Sequence, residues 1–144
     1  MLTVEINNDQ ALLAVDEERL RQAVENVLLA GGVATAEVSV AIVDDATIHR
    51  LNAQYLDHDY PTDVLSFLLE RSGARLEGEI IASADTATRN ATEFGWSAAD
   101  ELLLYVIHGT LHLVGYDDST DELQAVMRAA EAEQLGRFGL EPHY

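Results

Sequence analysis

Residues 98–113 are apolar on nearly every side of a helix, and such a segment is stable only when it is buried at the centre of a fold. Ser97 and Asp100 form a capping-box pattern at its start, and Gly115 lies just beyond its end. About four short strands and about five helices are predicted along the chain, with the last two helices consecutive. This order predicts an α+β fold in which one four-stranded sheet is covered by helices.

Capping residues and apolar patterns place the remaining elements. Asp16 is expected to begin the first helix, Ser83 or Asp85 a middle helix, and Ser119 with Glu122 the last one. The strand-prone segments are residues 3–6, 11–15, 37–43, 64–69 and 78–83. The last two segments are joined by a short polar stretch, so we expect them to form a hairpin or neighbouring strands.

The length of 144 residues is sufficient for a single domain, predicted to span 1–144, with a sizeable core. There is no cysteine, so any zinc ion must take nitrogen and oxygen ligands. The first residues lack the features of a signal peptide, and no apolar run approaches the length of a membrane span. We therefore expect a cytoplasmic protein with no membrane partner.

The charge of the chain is strongly negative. With 26 acidic residues against 8 basic residues, all of them arginine, the net charge is −18. Such a chain repels polyanions, which argues against a general nucleic-acid coat protein, and no DNA partner is expected. The net charge does not exclude an enzyme that concentrates positive charge locally, through a divalent ion and a few arginines. The candidate arginines for this role are Arg50, Arg71, Arg75 and Arg89.

Two histidines on the central helix suggest a metal site. His108 and His112 are four residues apart, so both imidazoles lie on one helical face and can reach a single ion. Gly115 can reverse the chain, which allows Asp118 to fold back as a third ligand. Three protein ligands leave one position of a tetrahedral zinc ion open, as in catalytic sites. A hydrogen-bonded pair of core histidines is the structural alternative.

The same spacing occurs in metzincin proteases, which makes a peptidase an alternative. In those enzymes a glutamate follows the first histidine and acts as general base, whereas this chain has Gly109, which cannot transfer a proton. Peptide hydrolysis by that mechanism is therefore disfavoured. A third hypothesis, a hydrolase of a small acyl or phosphoryl substrate, is supported only by the predicted open metal site.

Three sequence blocks, in the same order, resemble the YbeY family of bacterial metal-dependent endoribonucleases. The blocks are His108-Gly-Thr-Leu-His112-Leu-Val-Gly-Tyr-Asp117-Asp118, Leu51-Asn52-x-x-Tyr55 with Asp59-Tyr-Pro61-Thr62-Asp63-Val64-Leu65-Ser66-Phe67, and Gly78-Glu79-Ile80-Ile81-Ala-Ser83. The resemblance implies a mixed four-stranded sheet with a groove beside the metal. It also implies single-stranded RNA as substrate and the ribosome or a ribosomal protein as partner.

Two positions depart from the family pattern. Asp118 stands where the family usually has a third histidine, and a carboxylate oxygen can also bind zinc. Leu56 stands where the family typically has an arginine thought to hold RNA phosphate, a contact that leucine cannot make. Asp63 and Ser66, expected near the groove, are the candidate catalytic residues, and the alternative is a structural role for each, as a strand-start aspartate and an inward serine. Glu79 stands where the family tends to have aspartate.

The functional hypothesis is a zinc-dependent, single-strand-specific endoribonuclease that acts in rRNA maturation and ribosome quality control. One Zn²⁺ would be held by His108, His112 and Asp118. A different divalent metal in the same site is the alternative. The alternative is a ribosome-associated factor with a structural metal and little or no catalysis.

Five further residues have both a functional and a structural interpretation. Asp117 is expected to be either a metal ligand or a carboxylate that lies in a turn or beside the ligands, while His58 and His143 are expected to be solvated. Tyr116 and Trp96 are expected to pack against the core.

Overall fold

Four strands form one mixed sheet, and five helices complete the fold. The computed structural model describes residues 1–144. The elements are β1 (Leu2–Asn8), α1 (Glu17–Ala30), β2 (Thr35–Val43), α2 (Asp45–Leu56), β3 (Val64–Ser72), β4 (Arg75–Ser83), α3 (Ala84–Phe94), α4 (Ala98–Leu113) and α5 (Asp121–Gly136). The strand order is β1-β2-β4-β3, in which β1, β2 and β4 are parallel and β3 runs antiparallel to β4. The predicted α+β class with a single mixed sheet is confirmed.

The two faces of the sheet are covered by different helices. Alternate residues of β2, including Val38 and Val40, enter the main core together with side chains of α1 and α4. Val43 lies on the opposite face and packs with Ile48 of α2 and Leu65 of β3 in a smaller cluster. Because side chains alternate along a strand, one sheet supports both clusters.

The predicted central helix is α4. Eleven of its sixteen residues are buried, and it contacts α1, α3, α5, β3 and β4. Ser97 caps its first turn by accepting a hydrogen bond from the Asp100 N–H at 3.1 Å. None of the helices is both long enough and apolar enough to cross a membrane.

Close contact between α4 and the sheet depends on Gly109. The Ser66 hydroxyl of β3 donates a hydrogen bond to the Gly109 carbonyl at 2.9 Å. A Cβ atom at Gly109 would lie 2.9 Å from Ser66 Oγ and 3.0 Å from Ile80 Cγ2, closer than van der Waals contact allows. This position therefore faces the sheet and has no room for the glutamate that a metzincin-type mechanism requires.

Most of the predicted helix starts are confirmed. Asp16 accepts a hydrogen bond from Arg19 N–H at the start of α1, and Ser83, not Asp85, accepts one from Thr86 N–H at the start of α3. The Asp85 carboxylate accepts instead from the Asp45 N–H at 2.7 Å.

One predicted helix start and one strand-prone segment were wrong. Thr120, not Ser119, caps α5, because the Ser119 hydroxyl already donates a hydrogen bond to the Asp117 carboxylate at 2.7 Å in the preceding turn. Residues 11–15 form no strand. In this segment the Gln10 side chain bonds the backbone N–H and carbonyl of Leu13, each at 2.8 Å, which holds the chain in a loop.

Candidate metal centre

The structure brings the three predicted ligands together at the end of α4. His108 and His112 lie one turn apart on the helix, and Gly115, with a φ of 109°, turns the chain so that Asp118 returns to them. The two Nε2 atoms are 3.1 Å apart, and Asp118 Oδ2 lies 3.7 Å from His108 Nε2 and 3.6 Å from His112 Nε2. The three residues form the kind of cluster that can hold a metal ion.

The spacing of the ligand atoms fits a zinc-sized ion. Zinc bonds of about 2.0 to 2.2 Å at tetrahedral angles place ligand atoms roughly 3.3 to 3.6 Å apart. The observed separations of 3.1, 3.6 and 3.7 Å bracket that range. Two imidazole nitrogens and one carboxylate oxygen are also donor types that zinc accepts.

The hydrogen bonds of the two imidazole rings support the same conclusion. His112 Nδ1 lies 3.0 Å from the Tyr116 carbonyl, which can only accept, so this nitrogen carries the proton. His108 Nδ1 lies 2.5 Å from Glu131 Oε1, a carboxylate acceptor. In the neutral rings both Nε2 atoms therefore present lone pairs to each other. Two such lone pairs repel unless a proton or a metal ion lies between them, so the two rings are arranged to share a cation.

Glu131 is a site residue that the sequence analysis missed. It belongs to α5, is only 4% exposed, and accepts hydrogen bonds from His108 Nδ1 and the Tyr144 hydroxyl. Burial lowers the pKa of His108, but the hydrogen bond and charge of Glu131, together with the charges of Asp63 and Asp118, raise it above the usual value. Glu131 lies four residues after buried Met127 and four before buried Leu135, so a carboxylate on the apolar face of the last helix was the available signal.

Replacement of Glu131 with glutamine is expected to weaken zinc binding by about 10-fold, the lower end of the range for residues that orient metal ligands. The amide oxygen can still accept from His108 Nδ1, but the negative charge that strengthens the ligand is lost. Competition with a chromophoric chelator measures the affinity. Glu133→Gln, an exposed change on the same helix, is the control. Equal affinities in the two variants would contradict the prediction.

A cavity of about 230 Å³ adjoins the candidate metal ligands. His108, Asp118 and Asp63 line it together with aromatic side chains of α3, α4 and the C-terminal segment, which are Phe94, Tyr105, His143 and Tyr144. Burial and the hydrogen bond and charge of Glu101 raise the pKa of Tyr105, so this hydroxyl stays protonated. The site thus combines a metal-binding cluster with a partly aromatic cavity.

The predicted solvation of His143 was wrong. Its ring stacks on Phe94 with centroids 3.9 Å apart, and its Nε2 lies 2.9 Å from Oε1 of the buried Glu101. Trp96 donates to the same Glu101 oxygen at 2.8 Å and packs against the core. The C-terminal segment is therefore a wall of the cavity, which no local pattern indicated.

The other candidates with structural alternatives are as expected. His58 is exposed, where it stacks with Tyr60, and Tyr116 packs against the core, as does Trp96. Asp117 accepts hydrogen bonds from the Ser119 hydroxyl and from the N–H groups of Asp118 and Ser119, and these bonds lower its pKa. Asp117 is thus the turn carboxylate that holds the loop carrying Asp118.

The two candidate catalytic residues occupy different places. Asp63 lines the cavity, and its carboxylate accepts a hydrogen bond from the Val64 N–H at 2.7 Å. Ser66 does not line it, because its hydroxyl is directed to the Gly109 carbonyl. Glu79 is exposed and lines a different groove, on the sheet face opposite α4. Leu56 ends α2 and is 45% exposed.

Comparisons with known proteins agree with this architecture. A family model described as Endoribonuclease YbeY matches residues 5–139. A protein named endoribonuclease YbeY from Rhodopirellula baltica is 48% identical over 124 residues, which cover 85% of this chain and 64% of that protein. Its counterpart from Salinibacter ruber is 41% identical over 138 residues, covering 90% and 88%.

A solved structure shares the fold as well. The solution structure of TM1509 from Thermotoga maritima superposes with a TM-score of 0.62 at 28% sequence identity, covering 96% of this chain and 92% of that one. The family match and the relatives together show that this chain belongs to the YbeY family.

Proposed function

We propose that this protein is a zinc-dependent endoribonuclease that cleaves single-stranded RNA. The observation that carries the proposal is the His108, His112 and Asp118 cluster, which adjoins a cavity in a chain of the YbeY family. Zinc is proposed because two imidazoles and one carboxylate, without thiolates, form a three-ligand set typical of catalytic zinc sites. The relatives bear the name endoribonuclease, which makes RNA the substrate of this proposal.

Some residues around the cavity would bind the ion, and others orient the histidine rings. His108, His112 and Asp118 would hold the ion, while Glu131 and the Tyr116 carbonyl fix the orientation of the two rings. The chemistry that zinc supplies at such a site is activation of water and polarisation of a phosphoryl oxygen.

Asp63 and Ser66 are proposed to have different roles. Asp63 is proposed to orient the reacting group at the cavity wall, since its carboxylate lines the cavity and no arginine pairs with it. Ser66 is proposed as a positioning residue that acts through Gly109, because its hydroxyl holds α4 against β3 beside His108.

The biological setting is proposed from the family resemblance. We propose a cytoplasmic protein, with residues 1–144 as one domain, that acts in rRNA maturation and ribosome quality control with the ribosome or a ribosomal protein as partner. The second candidate is a ribosome-associated factor in which the metal is structural. Leu56, in place of the phosphate-binding arginine, and the net charge of −18 favour it.

Cleavage assays with metal-depleted and zinc-loaded protein test the proposal. We expect an end-labelled single-stranded RNA to be cut only by the loaded protein, and duplex RNA and single-stranded DNA to stay intact. Addition of a chelator should stop the reaction, and restored zinc should restart it. If the loaded protein cuts no RNA and still co-sediments with ribosomes, the endoribonuclease proposal fails and the second candidate is supported.

A further inference from the structure

Most arginines of this acidic chain are engaged by other protein groups. Four of the eight form ion pairs with carboxylates, and these pairs are Arg19 with Asp100, Arg21 with Glu18, Arg75 with Glu77, and Arg89 with Asp45. Arg71 donates to the carbonyls of Gly73 and Gly31. Of the arginines considered from sequence, three are therefore occupied and the fourth, Arg50, does not line the cavity.

Arg128 differs from all of these. It is exposed on α5, makes no ion pair or hydrogen bond with the protein, and lines the cavity that contains His108 and Asp118. It lies three residues before Glu131, so the two side chains project from the same side of the helix. Glu131 reaches inward to the ligand His108, and Arg128 remains beside the same cavity.

The aromatic ring of Tyr144 contacts the guanidinium of Arg128, which donates no hydrogen bond to the protein. Arg128 Cζ lies 4.8 Å from the centroid of the Tyr144 ring, within range of a cation–π contact. Because the guanidinium donates no hydrogen bond to another protein group, its N–H groups can bind two phosphate oxygens together. The position of the charge is thus restricted while its hydrogen-bonding capacity stays free.

The negative charge of the cavity lining makes a positive side chain necessary for phosphate binding. Asp63, Glu101, Asp118 and Glu131 all line the cavity, so four carboxylates face any phosphate that enters. Like charges repel strongly at short range, and one divalent ion balances only two of the four negative charges. Arg128 is the only arginine among the residues that line this cavity.

We propose that the Arg128 guanidinium binds a backbone phosphate of the RNA strand beside the metal centre. The inference rests on the proposed function, since it takes single-stranded RNA as the ligand. It assigns the phosphate contact to α5, far along the chain from Leu56. Arg128 would be a substrate-binding residue, and its role in zinc binding would be negligible.

The salt dependence of RNA binding tests this assignment. Each phosphate contact on a single strand contributes about 0.7 to the slope of log affinity against log salt. We expect Arg128→Gln to reduce the magnitude of that slope by about 0.7 and to weaken binding at low salt by about 10- to 100-fold, as for a lost charged hydrogen bond. Arg128→Lys should keep the slope because the charge is retained, while the affinity falls.

Arg137→Gln is the matched control, because Arg137 also makes no side-chain hydrogen bond and does not line the cavity. Binding is measured by fluorescence anisotropy with zinc-loaded protein and a labelled strand of 2′-O-methyl RNA, verified by gel to be uncut. Zinc affinity is measured for every variant. A slope unchanged by Arg128→Gln would overturn the assignment, and so would a fall in zinc affinity, since the effect would then arise through the metal.

The two proposals fail in distinguishable ways. If wild-type protein binds RNA with a slope that depends on Arg128 but cuts none, the phosphate site stands and the nuclease proposal fails. If it cuts RNA and Arg128→Gln binds like Arg137→Gln, the nuclease proposal stands and the phosphate site is elsewhere.

Discussion

Replacement of His108 or His112 with alanine is expected to abolish stoichiometric zinc binding. Each substitution removes one of three ligand atoms, and the loss should exceed the about 10- to 100-fold effect of removing a residue that only orients a ligand. Metal analysis after dialysis against a weak chelator measures the bound zinc. The proposed RNA cleavage should disappear in the same variants.

The control for the histidine variants is His58→Ala, which removes an exposed histidine outside the cluster. It should bind one zinc ion per chain, as the wild-type protein is expected to. Circular dichroism checks that each variant is folded. A folded His112→Ala protein with a full complement of zinc would show that the ion lies elsewhere.

Truncation of Leu103 to alanine is expected to lower the free energy of unfolding by about 3 to 5 kcal/mol. Leu103 is 0% exposed on α4, in the main core, so the change removes buried methyl groups and leaves a cavity. Urea denaturation followed by circular dichroism measures the change. For a domain whose total stability is about 5 to 15 kcal/mol, this loss is severe.

The same substitution at Leu123 provides the comparison. Leu123 is 42% exposed on α5, and Leu123→Ala should change the free energy of unfolding by only about 0.5 kcal/mol. If both variants lost the same stability, α4 would not be the centre of the core. The two variants together therefore test the burial of the helix that carries the candidate ligands His108 and His112.

Local sequence patterns predicted much of the fold. The apolar stretch 98–113, the caps at Asp16 and Ser97, and the hairpin segments all follow from rules that act over a few residues, and the structure confirms them. The cap of α5 was misplaced because Ser119 and Thr120 are both suitable capping residues. The choice between them depends on the turn at Asp117, which occupies the Ser119 hydroxyl.

The candidate site was also predictable from local patterns only in part. His108, His112 and Asp118 lie within eleven residues, so helix geometry and one glycine turn suffice to predict that they meet. Glu131 and Arg128 lie on the next helix, and His143 lies in the segment after it. Their approach to the cavity depends on how α5 packs against α4, which no short-range pattern encodes.

The sequence by itself determined most of the helices and strands, the buried helix and the meeting of the three candidate metal ligands in this YbeY family member, because periodicity, capping and i, i+4 spacing are local properties of the chain. Only the tertiary structure decided the strand order β1-β2-β4-β3, the contact of Glu131 with His108, and the place of Arg128 beside the metal cavity. These features depend on the packing of elements that are distant in sequence. Such packing is selected by burial of the whole apolar surface.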